Sequence, residues 1–183
     1  MSTINKAKLF ALQAHRDQKY GEFPYSYHLE KVSENLNKYR PGDLNESCFV
    51  AAWLHDTIED TEITFQQLFD EFGRTVARIV FACTDEPGAN RKERHERTYP
   101  KLMAAGRDAI AVKLADRISN VEHSLHYNHG MFQMYQKEYP DFKKALHLPG
   151  ELKEMWATLD TLMQFHKIEP PKQKKEENPC EKP

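Results

Sequence analysis

The apolar helical run Phe49-Val50-Ala51-Ala52-Trp53-Leu54 leads directly into an adjacent His55-Asp56, and Glu59 and Asp60 follow one helical turn later. No other segment of this 183-residue chain constrains its fold so tightly. Carboxylates held that close repel one another unless a cation or a shared proton offsets them. The fold must therefore bring a partner to this segment, and a metal site is the economical explanation.

Around it the chain reads as helix nearly throughout. Leu9, Phe10, Leu12 and Ala14 recur near helical spacing after Ser2-Thr3, which can cap a first helix. Pro24 marks a break before a second helix over 28–38, and Arg40-Pro41-Gly42-Asp43 is a turn with Asp43 as the expected N-cap of the helix carrying His55-Asp56. Thr64 caps 65–72, Gly73 ends that segment, and a new one runs over 74–82. Pro87-Gly88 punctuates a loop before a basic helix over 90–104, and Gly106-Arg107-Asp108 separates it from an apolar helix holding Asp116. Two further helices fit 131–146 and 150–166.

The strand-like run Ala109-Ile110-Ala111-Val112 is short and reads better as a helix start, and no alternating pattern or internal repeat is visible. The expected fold is all-α, a single helical bundle spanning 1–167. From 168 to 183 the composition turns to Pro, Lys and Glu, which cannot bury enough surface to order itself, so a disordered tail is expected there.

Hydrophobic residues make up 39% of the chain, enough for a core, yet no apolar run approaches the ~20 residues needed to cross a bilayer. The N-terminus lacks a positive-then-apolar signal layout, and a net charge of −2 gives no reason to expect a nucleic-acid partner. Cys48, Cys83 and Cys180 have no paired spacing, so neither a disulfide framework nor a Cys-type zinc site is indicated. Cys48 and Cys83 read as buried thiols, Cys180 as an exposed one, and the cytoplasm as the compartment.

Two distant segments complete the pattern. Tyr25-Ser26-Tyr27-His28-Leu29-Glu30 places His28 at the start of an amphipathic stretch, and Val112-Lys113-Leu114-Ala115-Asp116-Arg117-Ile118-Ser119-Asn120 sets Asp116 and Asn120 on one helical face. The order His…His-Asp…Asp is that of the HD-domain metal-dependent phosphohydrolases. Leu-His-Asp-Thr-Ile-Glu-Asp-Thr and Val-Lys-Leu-Ala-Asp-Arg-Ile-Ser-Asn closely resemble the hydrolase domain of RelA/SpoT-type enzymes, in particular the stand-alone small alarmone hydrolases and metazoan SpoT homologues. The resemblance covers roughly residues 5–165.

It implies that His28, His55, Asp56 and Asp116 hold a divalent ion, manganese by analogy, and that Glu59 and Asp60 activate water. The expected activity is hydrolysis of the 3′-pyrophosphate of guanosine tetra- or pentaphosphate, with no room for a synthetase domain. Substrate contacts are expected from Arg16 and Lys19, from Lys92 and Arg94 on the basic helix, from Lys113 and Asn120 beside Asp116, and from Tyr135. His123, His126 and His129 recur every three residues, but no matching carboxylate pattern accompanies them. The segment Lys19-Tyr20-Gly21-Glu22-Phe23-Pro24 departs from the resembled family, being shorter and holding one cation where consecutive Arg and Lys are usual. It leaves open another nucleotide substrate, such as a 3′-phosphorylated cofactor, a nucleoside monophosphate or a cyclic dinucleotide. A non-catalytic nucleotide sensor is the remaining alternative.

Overall fold

Polar caps and glycines set the helix boundaries. In the computed structural model, which describes residues 1–39 and 44–165, nine helices follow one another among the described residues. Helix α1 (Thr3–His15) starts where Ser2 Oγ accepts from the Asn5 amide, as its cap position predicts. Helix α2 (Tyr25–Tyr39) begins three residues earlier than expected, directly after Pro24. Helix α3 (Glu46–Leu54) has Asn45 at its N-cap; Asp43, the expected cap, lies outside the described residues. A four-residue helix, α4 (Thr57–Asp60), precedes α5 (Phe65–Cys83), whose capping box pairs Thr64 with Gln67. The end expected at Gly73 is a kink: its φ of +84° and ψ of 168° interrupt the helical path, and the chain resumes as helix on the other side.

Helix α6 (Arg91–Ala105) is capped by Asn90, and Gly106, at φ +90°, turns the chain into α7 (Arg107–Tyr127). The Ala109–Val112 run lies inside α7. Helix α8 (His129–Leu146) starts one residue after Asn128, which caps Met131, and α9 (Lys153–Met163) is shorter than the expected 150–166. The boundary expected at 167 and the tail beyond it lie outside the described residues.

The sequence reading missed an antiparallel hairpin, β1 (Lys19–Tyr20) with β2 (Phe23–Pro24), pairing Tyr20 with Phe23 between α1 and α2. Two residues per strand are too few for an alternating pattern to register.

Helix α7 is the centre of the bundle, packed against α2, α3, α5, α6, α8 and α9. Its Ile110, Val112, Leu114, Ile118 and Val121 are buried, as is every residue of α3 from Cys48 to Leu54. A helix that is apolar all round has to sit inside the protein, and the α3 sequence dictates that position. Because α3 ends at Leu54, the polar residues that follow emerge from the core beside α7 and α2. Cys48 and Cys83 are free and buried, and burial pushes both thiols up, Cys83 to about 12.

Candidate metal centre

His55 and Asp56 do not continue α3. Neighbouring residues in an unbroken helix point about 100° apart and cannot share a ligand. Here the chain leaves the helix after Leu54 and Asp56 adopts φ −98° and ψ −3°, which turns its carboxylate back toward the His55 ring. Asp56 Oδ2 thereby lies 3.0 Å from His55 Nε2. His28, in the first turn of α2, brings its Nε2 to 3.3 Å from His55 Nε2 and 3.3 Å from Asp56 Oδ2. Asp116, at the middle of α7, places Oδ1 3.4 Å from His28 Nε2 and 3.8 Å from His55 Nε2. Among the described residues, His28, His55 and Asp56 form the group able to hold an ion, with Asp116 Oδ1 against both imidazoles.

The donor set fits a divalent cation. The Ala52 carbonyl lies 3.0 Å from His55 Nδ1 and can only accept, so that nitrogen carries the proton and Nε2 faces the cluster. Ser119 Oγ lies 3.4 Å from His28 Nδ1, on the side of the ring away from the cluster. Two inward imidazole nitrogens and two carboxylates give a mixed nitrogen and oxygen set without thiolate, a chemistry that suits a divalent metal.

Without an ion, protons must do the neutralising. Burial opposes charge on His55 and His28, but Asp56 and Asp116 outweigh it and push both imidazoles up, His55 to about 10. Burial likewise works against the two carboxylates, and the histidines, with Lys113 at Asp116, hold both well below the usual range.

The surrounding groups are distributed unevenly. Lys113 Nζ sits 3.2 Å from Asp116 Oδ2 and donates to the Cys83 carbonyl at 3.3 Å, so its charge lies against Asp116. Asn120 donates from Nδ2 to Asp116 Oδ1. The Tyr25 hydroxyl, missed at sequence level, lies 2.6 Å from Asp56 Oδ2 and 2.7 Å from Asp60 Oδ2. Asp60 Oδ2 also accepts from Gln18 Nε2 at 3.3 Å. Tyr25 could have been found from its i, i+3 spacing to His28. Tyr20 could not, because its approach depends on the hairpin.

Glu59 is exposed as a residue, but its Oε2 accepts from the Asp85 amide at 2.8 Å. Partial burial raises its carboxyl above the ordinary value, against the lowering effects of that amide and of Lys113. Glu59 and Asp60 line a cleft of about 890 Å³ together with His15, Arg16 and Gln18. On the other flank, a cleft of about 400 Å³ is lined by Tyr20, Phe23, Asn120, His123, Tyr127 and Tyr135 among others.

The remaining expected contacts are dispersed. Lys19 is exposed on β1. Arg94 lies 3.8 Å from Asp85, next to the Glu59 loop. Lys92, with 82% of its side chain exposed, pairs loosely with Glu96 and lines a separate cleft with His95 and Tyr99. The structure does not bring Lys92 to the cluster.

The HD domain family matches residues 7–139. Over 125 residues the chain is 35% identical to the Danio rerio protein named guanosine-3′,5′-bis(diphosphate) 3′-pyrophosphohydrolase MESH1, covering 66% of each. Over 124 residues it is 34% identical to the Aquifex aeolicus guanosine-3′,5′-bis(diphosphate) 3′-pyrophosphohydrolase, of which it spans 17%. In fold it is similar to a solved metazoan SpoT orthologue that hydrolyses ppGpp, at a TM-score of 0.76 and 24% identity over 88% of this chain and 94% of that one.

Proposed function

This chain belongs to the HD-domain family, and we infer that it is a metal-dependent hydrolase that releases pyrophosphate from the 3′ position of guanosine tetra- or pentaphosphate, leaving GDP or GTP. The observation that carries the reading is Asp60, joined through Tyr25 to Asp56 of the His-His-Asp-Asp cluster with Glu59 next to it in sequence, in a chain whose relatives bear that activity in their names. His28, His55, Asp56 and Asp116 are the proposed ligands. Manganese is the proposed ion by resemblance to the small alarmone hydrolases, since the mixed imidazole and carboxylate set suits several divalent ions. When bound, such an ion lowers the pKa of a water and polarises a phosphoryl oxygen.

The chain's own residues do the rest. Glu59 takes the proton of the attacking water, and partial burial raises its carboxyl in the direction a general base needs. Asp60, fixed by Tyr25 and Gln18, orients that water. Arg16, in the cleft of Glu59 and Asp60, and Arg94, beside Asp85, are the proposed phosphate contacts, and Lys113 keeps Asp116 ionised. Tyr135 and Asn120 line the opposite cleft, where a nucleoside is proposed to lie. Lys19 is a candidate for the substrate's outer phosphates. The buried free thiols Cys48 and Cys83 suit a reducing cytoplasm, and among the described residues no helix is long and apolar enough to cross a membrane.

A second reading has a specific observation behind it. Among the described residues, neither Lys nor Arg lines the Tyr20–Tyr135 cleft. A substrate with fewer phosphates on its nucleoside end, such as a 3′-phosphorylated cofactor, fits such a wall. Purified protein with Mn²⁺ should release pyrophosphate from guanosine tetraphosphate. Release of phosphate only from other members of a nucleotide panel would move the assignment to the second reading. An intact metal site with no turnover on any nucleotide would make the chain a sensor.

A further inference from the structure

We propose that Tyr20 is a positioning residue for the metal cluster, orienting Asp116 through Asn120 and holding His28 by ring stacking; this rests on the metal-dependent reading above. The Tyr20 hydroxyl donates to Asn120 Oδ1 at 2.6 Å, across 100 residues of sequence. The Asp116 carboxylate sets which way the Asn120 amide points, and the Tyr20 bond holds the amide there. With its oxygen held by Tyr20, the amide turns Nδ2 toward Asp116 Oδ1, and the ionised carboxylate can only accept. The reverse orientation would set two oxygens against each other.

Asp116 is thereby gripped on both oxygens, Oδ1 by Asn120 and Oδ2 by Lys113 at 3.2 Å. Oδ1 is the oxygen that faces both imidazoles. The Tyr20 ring also stacks on His28, with centroids 4.7 Å apart and planes 22° from parallel. One side chain thus bears on two of the four proposed ligands, from two different helices. Its own backbone is held by the hairpin, where Gly21 takes φ +60° and lies against His123. Outer residues of this kind orient ligands, and losing one typically weakens metal binding about 10–100-fold.

The test is a Mn²⁺ titration followed by the electron paramagnetic resonance signal of the free ion, which needs no nucleotide. Tyr20→Phe keeps the stacked ring and removes the hydroxyl; its dissociation constant should rise about tenfold, with the metal-free melting temperature close to wild type. Tyr20→Leu, losing the stack as well, should bind more weakly still. Asn120→Ala should match the loss in Tyr20→Phe, and the double variant should be no weaker than Asn120→Ala alone, because both act in one chain of contacts. Wild-type affinity in Tyr20→Phe, or additive losses in the double variant, would overturn the assignment. Failure of the wild-type protein to bind Mn²⁺ would instead overturn the metal reading on which it stands.

Discussion

Glu59 and Asp60 are adjacent in sequence but are held by different partners, and the difference separates their roles. Asp60 shares Tyr25 with the cluster carboxylate Asp56, whereas Glu59 reaches away to the Asp85 amide. Partial burial raises the Glu59 carboxyl, which is the direction a general base needs. Glu59→Gln should therefore lower kcat by about 10²–10⁴-fold while Mn²⁺ binding is retained; an unchanged kcat would remove Glu59 from the mechanism. The pH profile gives a second check. A base must be deprotonated, so kcat/KM should fall as pH drops through the Glu59 pKa, with the acid limb above the ordinary 4.5 of a glutamate. That limb should disappear from the residual activity of Glu59→Gln. At this scale the sequence was legible where spacing is local: His55, Asp56, Glu59 and Asp60 sit in one segment, and their convergence needed only a break in α3. Tyr20 was not legible, since its partner Asn120 lies 100 residues away and is reached only through the tertiary fold.

At the scale of elements, α6, α7 and α8 are tied together by one carboxylate. Glu138 on α8 accepts from Arg91 Nε at 2.8 Å and Arg91 Nη2 at 3.1 Å on α6, and lies 3.3 Å from Arg117 Nη1 on α7. Arg117 also faces the Tyr135 and Phe142 rings, so the residue after Asp116 is anchored in the bundle. Burial opposes ionisation of Glu138, but the Arg91 hydrogen bonds outweigh it and hold its carboxyl below the usual value. A depressed carboxyl contributes stability above its unfolded pKa and loses it as pH falls through the folded one. Glu138→Gln should cost about 1–2 kcal/mol at pH 7, and the gap to wild type should close as the solution is acidified below the depressed pKa. Denaturant melts at the two pH values decide it; a gap that persists in acid would mean packing, not charge, holds Glu138. The Gly73 kink offers a cleaner case. A Cβ built there meets nothing within 4 Å, yet φ is +84°, so Gly73→Ala should destabilise through backbone strain alone, by about 1–3 kcal/mol. The glycine announced the interruption in the sequence, and the helix expected over 74–82 resumes after it. Packing of Val76, Ala77 and Val80 into the core decides that it resumes.

For the whole molecule, the cluster lies where α2, α3 and α7 meet, so an ion there should bind the folded state alone. His28 and Asp116 are 88 residues apart in the chain, counting from position 28 to 116, and His55 is fixed to them only once the bundle has formed. The unfolded chain has no such site, and binding free energy then becomes folding free energy. At a free Mn²⁺ concentration of about 100 times the dissociation constant, the gain is about 2.7 kcal/mol. For a chain of this size each kcal/mol raises the melting temperature by about 2–4 °C, so saturating Mn²⁺ should raise it by roughly 5–11 °C. A chelator should reverse the shift. Asp116→Asn should abolish the metal-dependent increment, whatever it does to the metal-free protein, because it removes a ligand charge but keeps the side chain's volume. A wild-type melting temperature indifferent to Mn²⁺ and chelator would mean that the two histidines and two carboxylates neutralise each other with protons, as their opposed pKa shifts permit in the absence of an ion. The size of the Mn²⁺-dependent shift therefore separates a metal centre from a buried ion-pair cluster.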